Sequence, residues 1–293
     1  MNWLKYKNIN LTLSGFLIII SIISLLKWGL KIGVDFTGGS VIEYKIEENF
    51  SHEEVVTHAK DKGFDIVSVQ NAGNKVYLFK LPPISEDQKS QLTGILNDDL
   101  KLKATEQKFE SVGPAIGVEL IKKTVYAMII ATVIILFWIA YQFKNLRFGL
   151  SATIATIHDS TILLGSFSIL GKFFGAEVDF LFVTAMLTIL SFSVHDTIVV
   201  FDRIRELKKR SSGDETDIIN TALSQTMVRS LNNSFTILFM LFALVLLGGI
   251  SVRWFAIALF IGTILGTYSS PFIAVPFYVV LGNLGRKIKN RKP

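Results

Sequence analysis

Six stretches of the chain are almost purely apolar over about twenty residues: 9–28, 125–143, 148–170, 180–201, 228–250 and 254–280. A helix of about 20 apolar residues crosses a hydrocarbon core of ~30 Å, so the pattern predicts six transmembrane helices. Lys5 and Lys7 precede the first stretch, but Lys27-Trp28-Gly29-Leu30-Lys31 offers no small-residue cleavage site, which predicts a retained anchor. Between the first two stretches the period changes. Residues 40–46 alternate as a strand does, and Ser51-His52-Glu53-Glu54 has capping-box spacing and opens a helix to about residue 62. Residues 65–70 and 75–81 form a hairpin across Asn71-Ala72-Gly73-Asn74. Ser85 caps a second helix to about residue 97, and 103–111 is a last strand. The expected order is βαββαβ, a ferredoxin-like unit. The fold class is therefore a polytopic α-helical membrane protein with one small extracytoplasmic domain between helices one and two. Its parts are an N-terminus with the first span (1–30), the domain (31–122), spans two to six (123–281) and a basic tail (282–293).

Charge adds orientation. The chain is basic, with a formal net charge of +6, yet its Lys and Arg lie in short loops between apolar runs. That is the signature of membrane topology, and no nucleic-acid partner is expected. Lys144 and Arg147, then Arg203, Arg205, Lys208, Lys209 and Arg210, then Arg286, Lys287, Lys289, Arg291 and Lys292 all fall on one side. The other side holds Lys172, Arg253 and the 31–122 segment, where acids outnumber lysines and arginine is absent. Positive residues near span ends stay in the cytoplasm, so both termini are predicted inside. With half its residues apolar, 18% charged and a mean hydropathy of +0.47, the chain is not a cytosolic enzyme. Its lack of cysteine excludes disulfides, thiolate nucleophiles and Cys-ligated metals.

Ionisable groups inside spans cost about 2.5–3.5 kcal/mol each on insertion scales, so those present are the candidate functional residues. They are His158 and Asp159 in the third span, His195 and Asp196 in the fourth, and Arg229 at the start of the fifth. Thr184, Thr188, Ser191 and His195 recur at helical spacing, with Asp196 at the edge of their stripe, and this stripe is expected to face protein. Thr226, Arg229, Asn233 and Thr236 form a second stripe. The two spans run in opposite directions, which brings Asp196 and Arg229 to similar depth, where a pair can form. A static ion pair fixing helix packing is one reading. The other is an acid that alternates between protonated and ionised forms as the arginine approaches and retreats, with His195 and His158 as relays. Asp159 is expected chiefly as a packing anchor.

Two glycine-rich borders flank the polar domain: Gly33-Val34-Asp35-Phe36-Thr37-Gly38-Gly39 and Ser111-Val112-Gly113-Pro114-Ala115-Ile116-Gly117-Val118-Glu119. Glycine permits close backbone approach and positive φ, so Gly33, Asp35, Gly38, Gly39, Gly113, Pro114 and Gly117 are read as a junction or hinge. His52 and His58 have no third ligand in view, and no metal site is expected.

These two borders, together with His158-Asp159, the run from Ser193-Val-His195-Asp196-Thr to Asp202-Arg203-Ile-Arg205-Glu206, and Asn220 through Met227-Val-Arg229-Ser230, resemble the SecF family of the RND superfamily over essentially the full length. Members are the smaller membrane subunits of the SecDF auxiliary complex of bacterial Sec protein export. The resemblance implies pairing with a SecD subunit and association with the SecYEG translocon, its accessory subunits and unfolded preproteins. It also implies residence in the bacterial cytoplasmic membrane and use of the proton-motive force, with Asp196 and Arg229 as the coupling pair. The family commonly has Asn before that acid and Thr after the arginine; His195 and Ser230 stand there in this chain. No enzymatic activity and no cofactor are expected beyond a coupling ion, H⁺ or Na⁺. Rival readings are a scaffold subunit that conducts nothing and an exporter of small molecules.

Overall fold

The computed structural model describes residues 2–210 and 213–289 and divides into two compact units, 1–31 with 127–248 and 252–293, and 32–126 with 249–251. Among the described residues six helical runs are long and apolar enough to cross a membrane: Trp3–Trp28, Gly117–Phe143, Leu146–Phe174, Phe180–Arg210, Glu215–Leu247 and Val252–Asn283.

In the first unit a short turn, Trp3–Tyr6, leads into α1 (Lys7–Trp28). The N-terminal part of α5 (Pro114–Phe143) belongs to the second unit and the remainder to this one. Then come α6 (Leu146–Phe174), α7 (Phe180–Arg210) and α8 (Glu215–Leu247). The last span is composite, made of α9 (Ile250–Ser269), a π-turn (Ser270–Ala274) and α10 (Val275–Lys289). Side chains start the helices. Asn145 accepts from Arg147 N at 3.0 Å, Asp179 from Phe182 N at 2.7 Å and Asp214 from Thr216 N at 3.1 Å, each satisfying an orphan first-turn N–H. The bundle is centred on α6, whose Gly149, Ser151, Ala152, Ala155 and Gly165 are small and buried. Small side chains let helix backbones approach where no hydrophobic effect drives association. Along α1, Ser24 Oγ donates to the Gly165 carbonyl at 3.1 Å and Ser168 Oγ returns a bond to the Ser24 carbonyl at 2.9 Å. At the other end Phe148, Phe201 and Tyr278 stack, with Phe148 and Tyr278 centroids 4.5 Å apart. Much of α1, α5 and α8 keeps its apolar surface uncovered, as lipid-facing helices do.

The second unit contains α2 (Val34–Thr37), β1 (Gly39–Lys45), α3 (His52–Asp61), β2 (Ser68–Gly73), β3 (Val76–Leu81), α4 (Glu86–Gly94) with a π-turn (Ile95–Asp99), and β4 (Thr105–Val112). The strands form one antiparallel sheet in the order β2-β3-β1-β4. Alternation on β1 sends Ile42 and Tyr44 to the core, continued by Ile46, where they meet Phe79 and Leu81 of β3 and Val55, Ala59, Leu92 and Leu96 of the helices and the π-turn.

Three local expectations are corrected. Ser51 makes no side-chain cap bond, because α3 starts in the open and its first-turn N–H groups can be met by water, whereas the cap expected at Ser85 is present as a full box with Gln88. The hairpin turns at Asn74 and Lys75, both at positive φ (51° and 62°), not across residues 71–74, since two successive left-handed residues match strand twist. The 33–39 border contains a short helix, α2, where only a turn was expected. Of the basic tail, the side chains of Arg286, Lys287 and Lys289 and residues 290–293 lie outside the described part, as does the side chain of Pro114.

Tyr44 gives the second unit an alkaline limit. Its ring is fully buried against Phe79 and its hydroxyl lies 2.8 Å from Thr93 Oγ1. Burial pushes the phenol up to about 12, against the opposing hydrogen bond. An unfolded tyrosine ionises near pH 10, so from there to about 12 the unfolded chain binds fewer protons and stability falls as pH rises, by up to about 3 kcal/mol. Tyr44→Phe should make that slope shallower in denaturant titrations repeated across this range, leaving the part that the ion-paired lysines contribute; equal slopes in both proteins would refute the assignment.

Candidate functional site

A buried polar cluster ties three spans together. Asp159 on α6 is 1% exposed and accepts from His158 Nδ1 at 2.9 Å, Ser193 Oγ of α7 at 2.7 Å and Ser269 Oγ at the end of α9 at 2.6 Å. Its two oxygens are thus met by three donors from three helices. Nearby, Thr197 Oγ1 of α7 lies 2.9 Å from Ser270 Oγ, which also donates to the Ser193 carbonyl at 3.3 Å. His158 is 4% exposed and its Nε2 has no hydrogen-bond partner among the described residues; its ring lies 6.4 Å from that of Tyr268.

Asp196 falls between Ser193 and Thr197 on α7, 3% exposed, and faces α8. There the Ser230 side chain is the neighbour of its carboxyl, and Oδ2 has no partner among the described residues. Arg229 is exposed on the adjacent face of α8 and forms no ion pair with Asp196 among the described residues. The structure therefore does not join the two residues that sequence spacing brought to one depth. Rotation is the reason: consecutive helical residues diverge by ~100°, and Ser230 occupies the direction that Arg229 would need.

The polar stripes form as helical period predicts, and this chain itself does not cover them. Thr184, Thr188, Ser191 and His195 do lie on one face of α7, but that face is exposed and not turned into this chain; Arg229, Asn233 and Thr236 on α8 are likewise uncovered. His195 lines a groove of about 280 Å³ with Ser191, Val194 and Ile198 of α7 and Ile134, Ile135 and Trp138 of α5. Thr226 alone of the second stripe is buried, its hydroxyl bonded back to the Ala222 carbonyl at 3.0 Å. Ser269 and Ser270 were not singled out by sequence, and Ser193, Thr197 and Ser230 entered only through the runs that carry the family resemblance. The available signal was Ser269-Ser270-Pro271, polar residues before a helix-breaking proline within an apolar run.

The glycine borders meet within the second unit. Gly39 pairs with Val112 and Ser40 with Ser111. Ser40 Oγ lies 2.8 Å from Ser111 Oγ and accepts from Ile84 N at 2.9 Å. The Gly33 carbonyl accepts from Phe36 N and Thr37 N to start α2, which contains Asp35 in its first turn, and Gly38 ends it at φ 78°. Gly117 packs on the Phe36 backbone so closely that a Cβ would sit 2.5 Å from its carbonyl oxygen, whereas Gly113 has open space around it.

No group of three His, Asp or Glu able to hold a metal lies among the described residues. His58 instead meets Asp99 at 3.3 Å, and Lys62 with His58 holds that carboxyl below the usual carboxylate range.

Comparison with known proteins gives consistent matches. The family model described as "Protein export membrane protein SecD/SecF, C-terminal" matches residues 93–284. The chain is 41% identical over 279 residues to protein translocase subunit SecF of Thermobaculum terrenum, covering 89% of this chain and 88% of that one. It is 35% identical to SecF of Vibrio alginolyticus, covering 96% and 90%. A crystal structure of SecDF from Thermus thermophilus, titled a translocon-associated membrane protein, superposes with a TM-score of 0.84 at 32% identity. That match covers 97% of this chain but only 39% of the solved one, so the chain spans about two fifths of that protein's length.

Proposed function

The chain belongs to the SecF family of protein translocase subunits, and on that premise we propose that it couples ion movement at Asp196 to movement of its extracytoplasmic unit, assisting late stages of protein export. It is a multi-pass protein of the bacterial cytoplasmic membrane, in a family with a role in protein export. The proton-motive force is the proposed energy source, since each charge moved down the field is worth ~2.3 kcal/mol per 100 mV. H⁺ is the proposed ion, with Na⁺ as the variant to test. No bond-making step is required.

One observation carries this reading. Asp196 is a buried acid with an unpartnered oxygen, while the polar faces beside it, His195 on α7 and Arg229 on α8, are left uncovered by this chain. Uncovered polar groups at membrane depth call for a protein or water-lined partner. A SecD subunit is the proposed partner, because the Thermus thermophilus SecDF subunit contains a SecF-like portion matching this chain within a much longer polypeptide. SecYEG and unfolded preproteins are its proposed further contacts. Lys and Arg placement supports cytoplasmic termini, and the β2-β3-β1-β4 antiparallel order supports a ferredoxin-like reading of the outer unit. The groove at His195 gives protons a lateral approach to the acid; His158 and Asp159 serve the same span contacts from inside. The glycine junction would transmit the movement.

In vesicles containing this chain with its cognate SecD, Asp196→Asn and Arg229→Met should each cut gradient-dependent preprotein translocation and ion flux at least tenfold while the complex still co-purifies. Parental export and flux in both variants would sink the proposal and favour a scaffold.

A further inference from the structure

Four consecutive residues of the last span each bond a different helix. Thr267 Oγ1 lies 2.6 Å from Ser234 Oγ of α8. The Tyr268 hydroxyl meets Ser14 Oγ and the Asn10 carbonyl of α1, both at 3.1 Å. Ser269 donates to Asp159 of α6, and Ser270 engages Thr197 and the Ser193 carbonyl of α7. Successive helical residues point ~100° apart, so four in a row reach around the whole helix. An apolar run would pack there without needing any partner, whereas hydroxyls in hydrocarbon must each find one.

The backbone changes at the same place. Pro271 has no N–H to return to the preceding turn, and the chain passes into the π-turn Ser270–Ala274. Just before it, the Gly266 carbonyl accepts from Ser270 Oγ at 3.1 Å and from Ser269 Oγ at 3.4 Å. A π-turn inside a span has an alternative: its wide turn can move along the helix by exchanging one set of carbonyl partners for the next. Side-chain hydroxyls are suited to follow such a shift, because each can rotate to a new acceptor.

We propose that residues 267–270 form a positioning hub for Asp196, with Ser270 and Thr197 as its contact to α7. Ser193 lies three residues before the acid and Thr197 one after, so their bonds to Ser270 fix the rotation of α7 and the direction of the Asp196 carboxyl toward Ser230. The same run holds α1 through Tyr268 and α6 through Ser269, so a shift of the π-turn reaches those helices together with the acid. The inference rests on Asp196 being the coupling acid. Apart from the charged groups toward the helix ends (Asp202 to Arg210 on α7, Arg147 and Lys172 on α6, Glu215 and Asp217 on α8, Arg253 on α9), the titratable or charged groups on Asp196's own helix and on α6, α8 and α9 are His195 on α7, His158 and Asp159 on α6, Arg229 on α8 and Tyr268 on α9; the α5 side chains lining the His195 groove, Ile134, Ile135 and Trp138, carry none.

The test is the pH profile of gradient-driven export in vesicles containing the complete complex. Ser270→Ala and Thr197→Val remove one bond from its two ends, and each should displace the profile's midpoint by one pH unit or more, a tenfold change in proton activity, at parental complex levels. Ser270→Thr keeps a hydroxyl and should retain the parental midpoint. Ser160→Ala should also retain it, since among the described residues that hydroxyl bonds only the Thr156 carbonyl of its own helix. If one of the two bond-removing variants does not accumulate, the other decides. A parental midpoint in the variant that accumulates, with Asp196→Asn still abolishing gradient dependence, overturns the hub alone. Parental export by Asp196→Asn overturns the coupling reading and the hub with it.

Discussion

Asp159→Ala is expected to lower the thermal unfolding temperature of the purified complex by about 10 °C, the largest stability loss from a single side chain in the spans. The carboxylate receives donors from His158, Ser193 and Ser269, and the site is nearly inaccessible. Truncation leaves three buried donors without an acceptor, each costing roughly 1–3 kcal/mol, although hydroxyls recover part by rotating to backbone carbonyls. A net loss of about 3–5 kcal/mol follows. Asp159→Asn preserves volume and one carbonyl oxygen, so it should lose about half as much. Tryptophan fluorescence during heating in detergent reads the outcome, with Trp3 and Trp254 both packed on spans of this unit. An Ala variant melting within about 2 °C of the parent would mean that the three-helix tie holds nothing.

That tie was only half visible in the sequence. Long apolar runs announce spans regardless of tertiary context, because insertion into hydrocarbon depends on length and composition, and the six runs coincide with six long helices. Asp159 stood out because an acid in a span is costly. Its serine partners did not, because a serine in a membrane helix bonds back to a carbonyl four residues earlier and carries little signal alone. Ser160, Ser166 and Thr161 all do this without reaching another helix. Helical period gave the phase of the α7 stripe correctly but not which neighbour it faces. Phase is a property of one helix, and the stripe opens away from this chain. Asp196 and Arg229 show the same limit: depth follows from counting residues, whereas rotation follows from packing, and packing put Ser230 opposite the acid. In the outer unit, alternation marked residues 40–46 as a strand, which places Ile42, Tyr44 and Ile46 in the core, yet the hairpin moved because Asn74 and Lys75 supply the two positive-φ positions that a tight turn needs.

Gly117→Val should be the most damaging change at the border between strand and span. A Cβ there would lie 2.5 Å from the Phe36 carbonyl oxygen, 2.8 Å from its carbon and 3.1 Å from Gly38 N. All three are backbone atoms, so no rotamer change relieves the overlap, in contrast to a clash with a flexible side chain. Phe36 is itself buried in α2, whose end at Gly38 leads directly into β1. Relief therefore requires α2 to move as a piece or the first turns of α5 to swing away, at a cost of about 3 kcal/mol or more. Ala at 117 introduces the same Cβ and should suffer most of that penalty, which separates backbone crowding from side-chain bulk. Gly113→Ala is the matched control, four residues earlier with nothing within 4 Å, and should be neutral or slightly stabilising. Limited proteolysis of membrane-embedded complex measures the result: the 117 variants should be cut within residues 32–126 at least tenfold faster than the parent, and the 113 variant at the parental rate. If Ala at 117 is cut no faster than Ala at 113, the close approach of α5 to α2 does not constrain the junction, and a hinge at this border would have to work through other contacts.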